Sequence, residues 1–324
     1  MEDIHLLNCS LPELDLEEIN LNSGLGDKKL KFPLIVNALT GGSKEARNIN
    51  RDLAIICRRH GLAMAVGSQT VALENPGWKD SFTVVRDHNP DGIVIANISG
   101  MAETEAARAA VDMIAADALQ LHFNVPQELA MPEGDRCFKG ILEKVAQVVE
   151  LCPVPVIAKE VGFGFSRESV QQLYRVGVRI FDTGGQGGTN FIAIEDKRGG
   201  MFGGELDSWG IPTAVSLAEI AACGLPVSII ASGGIRSAAD AAKAFALGAD
   251  MVGIAGPLLR ILIEDGIGNL DRWLNDFLYR LKAVFLMSGA RDLAAIKRKP
   301  LIILGPTAAW LRARGIDPHL WAQR

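Results

Sequence analysis

No apolar run in this 324-residue chain reaches the roughly 18 residues that a membrane-spanning helix needs. Cysteine is scarce. Cys9, Cys57, Cys137, Cys152 and Cys223 are odd in number, and no two form a C-x-x-C pair. That argues against a disulfide framework or a zinc site and fits a reducing cytosol. Lys and Arg form no block, and 33 basic residues face 38 acidic ones for a net charge of −5. A nucleic-acid face is therefore not expected. At 22% charged and 48% hydrophobic the chain is too apolar to be disordered. Its 34 glycines follow no three-residue period, which excludes collagen. Sequence repeats and low-complexity tracts are absent, as are Walker A and G-x-G-x-x-G loops. The start, MEDIHLL, has acidic residues where a secretory signal needs basic ones, so a cytoplasmic protein is expected.

What the chain does have is a rhythm. Eight apolar runs of strand length, at 33–38, 62–67, 92–98, 118–124, 154–161, 179–183, 226–232 and 250–255, alternate with amphipathic stretches. The runs are continuous rather than alternating, as in strands covered on both faces. Ser166 reads as an N-cap, with Val170, Leu173 and Tyr174 at helical spacing and Gly177 as the stop. Ser237 with Asp240 reads as a capping box for a helix ending at Gly248. Eight strand–helix units predict a single (β/α)8 barrel of the α/β class. The expected organisation is an N-terminal extension over 1–30, a barrel over 31–290 and a C-terminal tail over 291–324. In such a barrel the chemistry sits at the carboxyl ends of the strands. One interval breaks the rhythm: 184–212 is Gly-rich and too long for an ordinary connection, and reads as a functional loop.

The seventh run ends in Ser232-Gly233-Gly234-Ile235 and the eighth in Gly253-Ile254-Ala255-Gly256. Glycine loops before helix starts, at those two places, suit a phosphate; they also suit simple tight turns. The other run ends offer small hydrogen-bonding residues: Asn37, Ala38, Thr40 and Gly41 at the first, Ser68 after the second, Asn97 on the third and Lys159 on the fifth. A flat heterocycle with polar edges fits them. Lys159 reads either as a cation that stabilises negative charge on a reduced flavin ring or as a barrel-core salt bridge with Glu160 or another carboxylate.

The densest polar cluster follows the fourth run: His122, Asn124, Gln127 and Glu128, then Met131-Pro132-Glu133-Gly134-Asp135-Arg136. Residues two apart on a strand share a face, so His122 and Asn124 both point into the mouth. Glu128 is a candidate Mg2+ ligand, beside substrate phosphate oxygens. Glu133 and Asp135 read as fixing their loop by hydrogen bonds. In the long loop, Thr189 and Glu195 face the mouth, or Glu195 is an exposed loop carboxylate.

These stretches resemble one family, the FMN-dependent type 2 isopentenyl-diphosphate Δ-isomerases. The likeness runs through NALTGGS (37–43), VGSQ (66–69), LHFNVPQELAMPEGDR (121–136), VIAKEVGFGFS (156–166), GGQGGTNFIAIE (184–195), WGIPTAVSL (209–217) and ASGGI (231–235). The resemblance implies an isomerase acting on isoprenyl diphosphates, with reduced FMN as acid/base cofactor, Mg2+, and NADPH only to reduce the flavin. By resemblance, His122, Asn124, Gln127 and Ser68 meet the substrate and Glu128 holds Mg2+. Ala38, Thr40, Gly41, Ser68, Asn97, Lys159, Thr189, Gly233, Gly234, Ala255 and Gly256 line FMN. Gln127, His122 and Glu195 are the catalytic candidates, Gln127 relaying or orienting a proton because it does not ionise near neutrality. A homo-oligomer, tetramer or octamer, is also implied.

Three positions depart from the family pattern. Leu39 stands where Met is common, and Thr70 where several members have Arg. The Arg-Lys-containing segment that helps bind diphosphate is not among these residues, which bears on substrate affinity more than on fold or flavin binding. Two alternatives stay open. An FMN-dependent barrel oxidoreductase would need a late His with Arg three residues on, or a Cys in the loop after the sixth strand, and neither is present. A flavin-binding barrel without isomerase activity is the other.

Overall fold

The computed structural model describes the whole chain, Met1–Arg324. Eight parallel strands close into one barrel: β1 (Leu34–Val36), β2 (Ala63–Ala65), β3 (Val94–Ser99), β4 (Ala118–Phe123), β5 (Val156–Glu160), β6 (Ile180–Asp182), β7 (Ser228–Ser232) and β8 (Met251–Ile254), with β8 pairing back onto β1. Each coincides with an expected run to within two residues at either end.

Side chains two apart along a strand share a face, and this periodicity splits the barrel interior into two layers. The lower layer is apolar: Ile35, Ala63, Ala65, Ile95, Ala118, Ile157, Ile180, Ile230 and Met251 form one cluster. A hairpin of Ser23–Leu25 and Lys28–Leu30 closes it from below, contributing Leu25 and Leu30. Two residues further along the strands the upper layer is polar: Asn37, Asn97, Gln120, Lys159, Asp182 and Ser232 are all buried. His122 stands above Gln120 on the same face of β4.

Outside the strands lies the larger core, where helices pack their apolar stripes. The 21-residue helix Ile267–Met287 buries Leu270, Leu274, Phe277, Leu278, Leu281 and Phe285, at three- and four-residue spacing. Local signals act as expected. Ser166 accepts from the Ser169 N–H to start Arg167–Arg175, and Ser237 with Asp240 forms a capping box on Ala238–Leu247.

The interval 184–212 is more ordered than a Gly-rich loop suggests. It holds a helix, Phe191–Lys197, capped by Asn190, and its two ends meet where Gln186 bridges to Pro212. The chain ends are tied together: Ile4–Leu6 pairs antiparallel with Leu301–Ile303. The last residues pack on the barrel's own helices, where Trp321 is buried and donates to the Leu247 carbonyl at 3.2 Å. No helix is long and apolar enough to cross a membrane.

Candidate active site

Every residue singled out from the sequence lies at, or just after, the carboxyl end of a barrel strand, so all belong to one face of the molecule. They divide into a glycine-lined end, a set of strand-end residues and the cluster above β4.

At the glycine end, β7 and β8 run in register, with Ser232 opposite Gly253. The loop after β7 is held by Thr213, whose hydroxyl donates to the Gly233 carbonyl at 2.6 Å. Gly233 has φ +97, and a Cβ there would meet the Gly185 oxygen at 2.1 Å, so backbone packing alone demands glycine. The tight-turn reading is therefore correct as far as it goes. It leaves out the donors: the N–H groups of Gly233, Gly234 and Gly256 bond to no group of the protein. Gly256 opens the helix Gly256–Asp265, with open space where a Cβ would stand. Unpartnered N–H groups at a helix start favour an anion.

The strand-end residues differ in how they face the mouth. Lys159 is buried and donates to the Glu160 carbonyl at 3.2 Å, with no carboxylate within ion-pair distance. The salt-bridge alternative is thus overturned. Adjacent residues on a strand point to opposite faces, and the Glu160 carboxyl instead accepts from the N–H groups of Phe163 and Gly164. Burial pushes the Glu160 carboxyl up to about 8, against the pull of those N–H groups and of Lys159. Asn97 is buried, with its amide engaged by Gln120 and His122. The Thr40 hydroxyl donates to Asn50 Oδ1 at 3.0 Å. Gly41 is a packing glycine, since a Cβ would sit 2.1 Å from the Phe82 ring. Ser68 is exposed and pairs with Thr70 at 3.1 Å, and Thr189 is exposed.

The cluster above β4 is the most tightly built part. Asn124 precedes a short helix, Val125–Ala130, that carries Gln127 and Glu128. Asn124 Nδ2 donates to Glu128 Oε1 at 2.8 Å, and Glu128 Oε2 accepts from the Asp135 N–H at 2.9 Å. Gln127 Nε2 donates to Glu195 Oε1 at 3.0 Å, joining the loop after β4 to the helix after β6. Glu195 is buried and pairs with Arg198 at 3.0 Å, so it is not an exposed loop carboxylate. The MPEGDR loop is fixed by Arg136, whose guanidinium donates to the carbonyls of Glu128, Met131, Gly134 and Asp135. The side chains of Glu133 and Asp135 take no part, because backbone carbonyls lining a tight loop need a multi-donor cation, not another acceptor.

His122 Nδ1 meets Asn97 Oδ1 at 2.8 Å. Burial, with a smaller push from the Lys159 ammonium, lowers the imidazole to about 4, so it is neutral at pH 7. Asp182 is fully buried one strand beyond Lys159, which lies in register with both His122 and Asp182. Burial raises its carboxyl, while Lys159, Ser232 and Asn37 pull it down. Asp182, Gln120 and Thr213 were not among the candidates from sequence. A single polar residue closing an apolar strand was the available signal, and it is a weak one.

The family profile described as FMN-dependent dehydrogenase matches residues 133–303. Curated relatives are similar over full length. An isopentenyl-diphosphate delta-isomerase of Symbiobacterium thermophilum is 51% identical, covering 100% of this chain and 90% of the relative. One of Moorella thermoacetica is also 51% identical, over 97% and 91%, and one of Nocardia farcinica is 44% identical, over 97% and 87%. Among solved structures, a mandelate oxidase mutant with an FMN adduct superposes with a TM-score of 0.69 at 18% identity, over 94% of this chain and 89% of that one. A putative lactate oxidase of Pediococcus acidilactici gives 0.72 at 17%, over 94% and 84%. At that identity the likeness speaks for the fold alone.

Proposed function

The chain belongs to the isopentenyl-diphosphate delta-isomerases of the FMN-dependent type, and we propose that the cluster above β4 is where isopentenyl diphosphate is converted to dimethylallyl diphosphate. One observation carries this reading. Gln127 and Glu195, from two separate short helices, meet at 3.0 Å beside Asn124 and Glu128. That is a proton-handling pair next to a carboxylate with spare lone pairs.

The residues fit FMN. The free N–H groups of Gly233, Gly234 and Gly256 suit its phosphate. Lys159 supplies a cation with no competing carboxylate near the ring edge, and Ala38, the Thr40 and Gly41 backbone, Ser68, Asn97, Thr189 and Ala255 line the rest. Bound and reduced, FMN supplies acid/base capacity at the alkene with no net redox change, NADPH serving only to reach that state.

The chain's own residues then divide the work. His122 and Asn124 grip the diphosphate, with Ser68 nearby, and so turn binding energy into alignment. Gln127 orients the proton that leaves C2 or joins C4, and Glu195 holds or accepts it at Oε1. Burial of Glu195 limits water in that exchange. For Mg2+, each Glu128 oxygen accepts one protein bond and keeps a lone pair. No group of three or more His, Cys, Asp and Glu forms a cage. Glu128 would hold Mg2+ together with the substrate's phosphate oxygens and water, the usual arrangement for this ion.

Incubating the reduced, Mg2+-loaded protein with isopentenyl diphosphate in D2O tests the reading. Deuterated dimethylallyl product without net oxidation is expected. Substrate oxidation would favour the oxidoreductase that the family profile's description names, and bound flavin without turnover would favour a non-enzymatic flavin barrel. A cytoplasmic location fits the five unpaired cysteines. Native mass measurement tests the tetramer or octamer.

A further inference from the structure

A line of polar side chains crosses the upper layer of the barrel, from Ser232 through Asp182, Asn37, Gln120 and Asn97 to His122. The Ser232 hydroxyl donates to Asp182 Oδ1, and Asn37 Nδ2 donates to Asp182 Oδ2 at 2.7 Å. Gln120 Nε2 donates to Asn37 Oδ1 at 3.0 Å and lies 3.4 Å from Asp182 Oδ2. Asn97 Nδ2 donates to Gln120 Oε1 at 3.3 Å, and Asn97 Oδ1 faces His122 Nδ1 at 2.8 Å.

The line has a fixed direction. Donors from Asn37, Gln120, Ser232 and the Gly184 N–H all converge on Asp182, which matches an ionised carboxylate that only accepts. The Ala38 N–H donates to Asn37 Oδ1 at 2.9 Å and stops that amide from turning over. Gln120 therefore meets two acceptors on one side and must present its own oxygen to Asn97. The Asn97 amide has no other side-chain partner than Gln120 and His122, so its oxygen is left facing the imidazole. An oxygen there requires a proton on Nδ1. His122 Nε2 has no partner in the protein.

We propose that Gln120 is a positioning residue for the isomerisation: it transmits the polarity of Asp182 and Asn37 to Asn97 and so holds His122 as the Nδ1–H tautomer. A diphosphate oxygen needs a donor. With Nδ1 already committed to Asn97, a proton taken up on substrate binding has only Nε2 to occupy, where it faces the ligand. The tautomer stands on the hydrogen bonds alone, whereas its kinetic consequence rests on His122 meeting the diphosphate, as read above.

The test is 15N-histidine NMR on the oxidised FMN-loaded protein, with steady-state kinetics on the same variants. Wild-type His122 should show a protonated Nδ1 and a bare Nε2 at neutral pH; a protonated Nε2 with bare Nδ1 overturns the proposal before any variant is made. Gln120→Met, close in volume, frees the Asn97 amide and should yield a mixture of tautomers. Wild-type binding takes up a proton at Nε2, so KM for isopentenyl diphosphate should rise with pH, whereas the Nε2–H fraction of Gln120→Met donates without that uptake and should flatten the rise. Gln120→Glu, protonated in this buried place, can still donate to Asp182 and accept from Asn97, and should keep the wild-type tautomer. An unchanged tautomer in Gln120→Met overturns the proposal. A mixed tautomer with the wild-type pH dependence of KM overturns the positioning role and removes His122 from the diphosphate site.

Discussion

The lower and upper halves of the barrel interior are made by the same strands, two residues apart, and they do opposite things. Below, Ile35, Ile95, Ile157, Ile180 and Ile230 fill space, with Leu25 and Leu30 sealing the floor. Each such side chain contributes roughly 1.5–3 kcal/mol by leaving water. Above, Asn37, Asn97, Gln120, Lys159, Asp182 and Ser232 are equally buried but polar. Burial of that kind stabilises only while each group keeps its partners, and one lost partner strands the others. The contrast shows how one strand can serve stability at its start and chemistry at its end. The lower layer tolerates any apolar residue of the right volume. The upper layer tolerates very little, because position, charge and hydrogen-bond direction are all specified.

The contrast breaks most sharply at the rim. Glu195→Gln keeps the shape beside Gln127 but removes the ionisable group, and isomerisation should fall on the order of a thousandfold with FMN still bound, read by turnover and flavin absorbance. A drop in both together would make Glu195 a structural residue. In the lower layer the effect should be reversed. Ile157→Ala should cost roughly 2–5 kcal/mol of stability, read by urea unfolding, with turnover per folded molecule nearly unchanged.

A third measurement separates the layers by pH. His122 is neutral in the folded chain, and its imidazole is lowered from 6.5 to about 4, chiefly by burial. The unfolded chain therefore takes up a proton more readily. The stability this contributes is present above pH 6.5 and is lost as pH falls towards 4, on the order of 3 kcal/mol in all. His122→Gln should flatten that slope in urea midpoints between pH 7 and 4, whereas Ile157→Ala should leave the slope in place. The smallest expected effect is at Lys159. Lys159→Ala removes the one buried cation of the upper layer and should weaken FMN about tenfold, read by flavin titration. Unchanged affinity and reduction would remove Lys159 from the flavin site.

Much of this molecule was legible in the chain itself, for local reasons. Apolar runs of five to eight residues between helical stretches need only neighbours in sequence to reveal themselves, and the capping box at Ser237 and Asp240 is a three-residue signal. Two placements were decided by tertiary contact. Thr40 points its hydroxyl at Asn50, on the following helix, and Glu195 is drawn inward by Gln127, 68 positions earlier.

Sequence by itself determined the eight-fold rhythm, the face that carries the polar residues and the spacing of His122, Asn124, Gln127 and Glu128 along one strand end. Only the closed barrel decided which polar atoms meet: Asn37 reaches Asp182 across 145 positions, and Gln120 reaches Asn37 across 83. Closure wraps strands that are remote in the chain around one axis. The inward-facing amides then become partners of one another and of Asp182 and His122, and no local pattern of residue types encodes which way each must point.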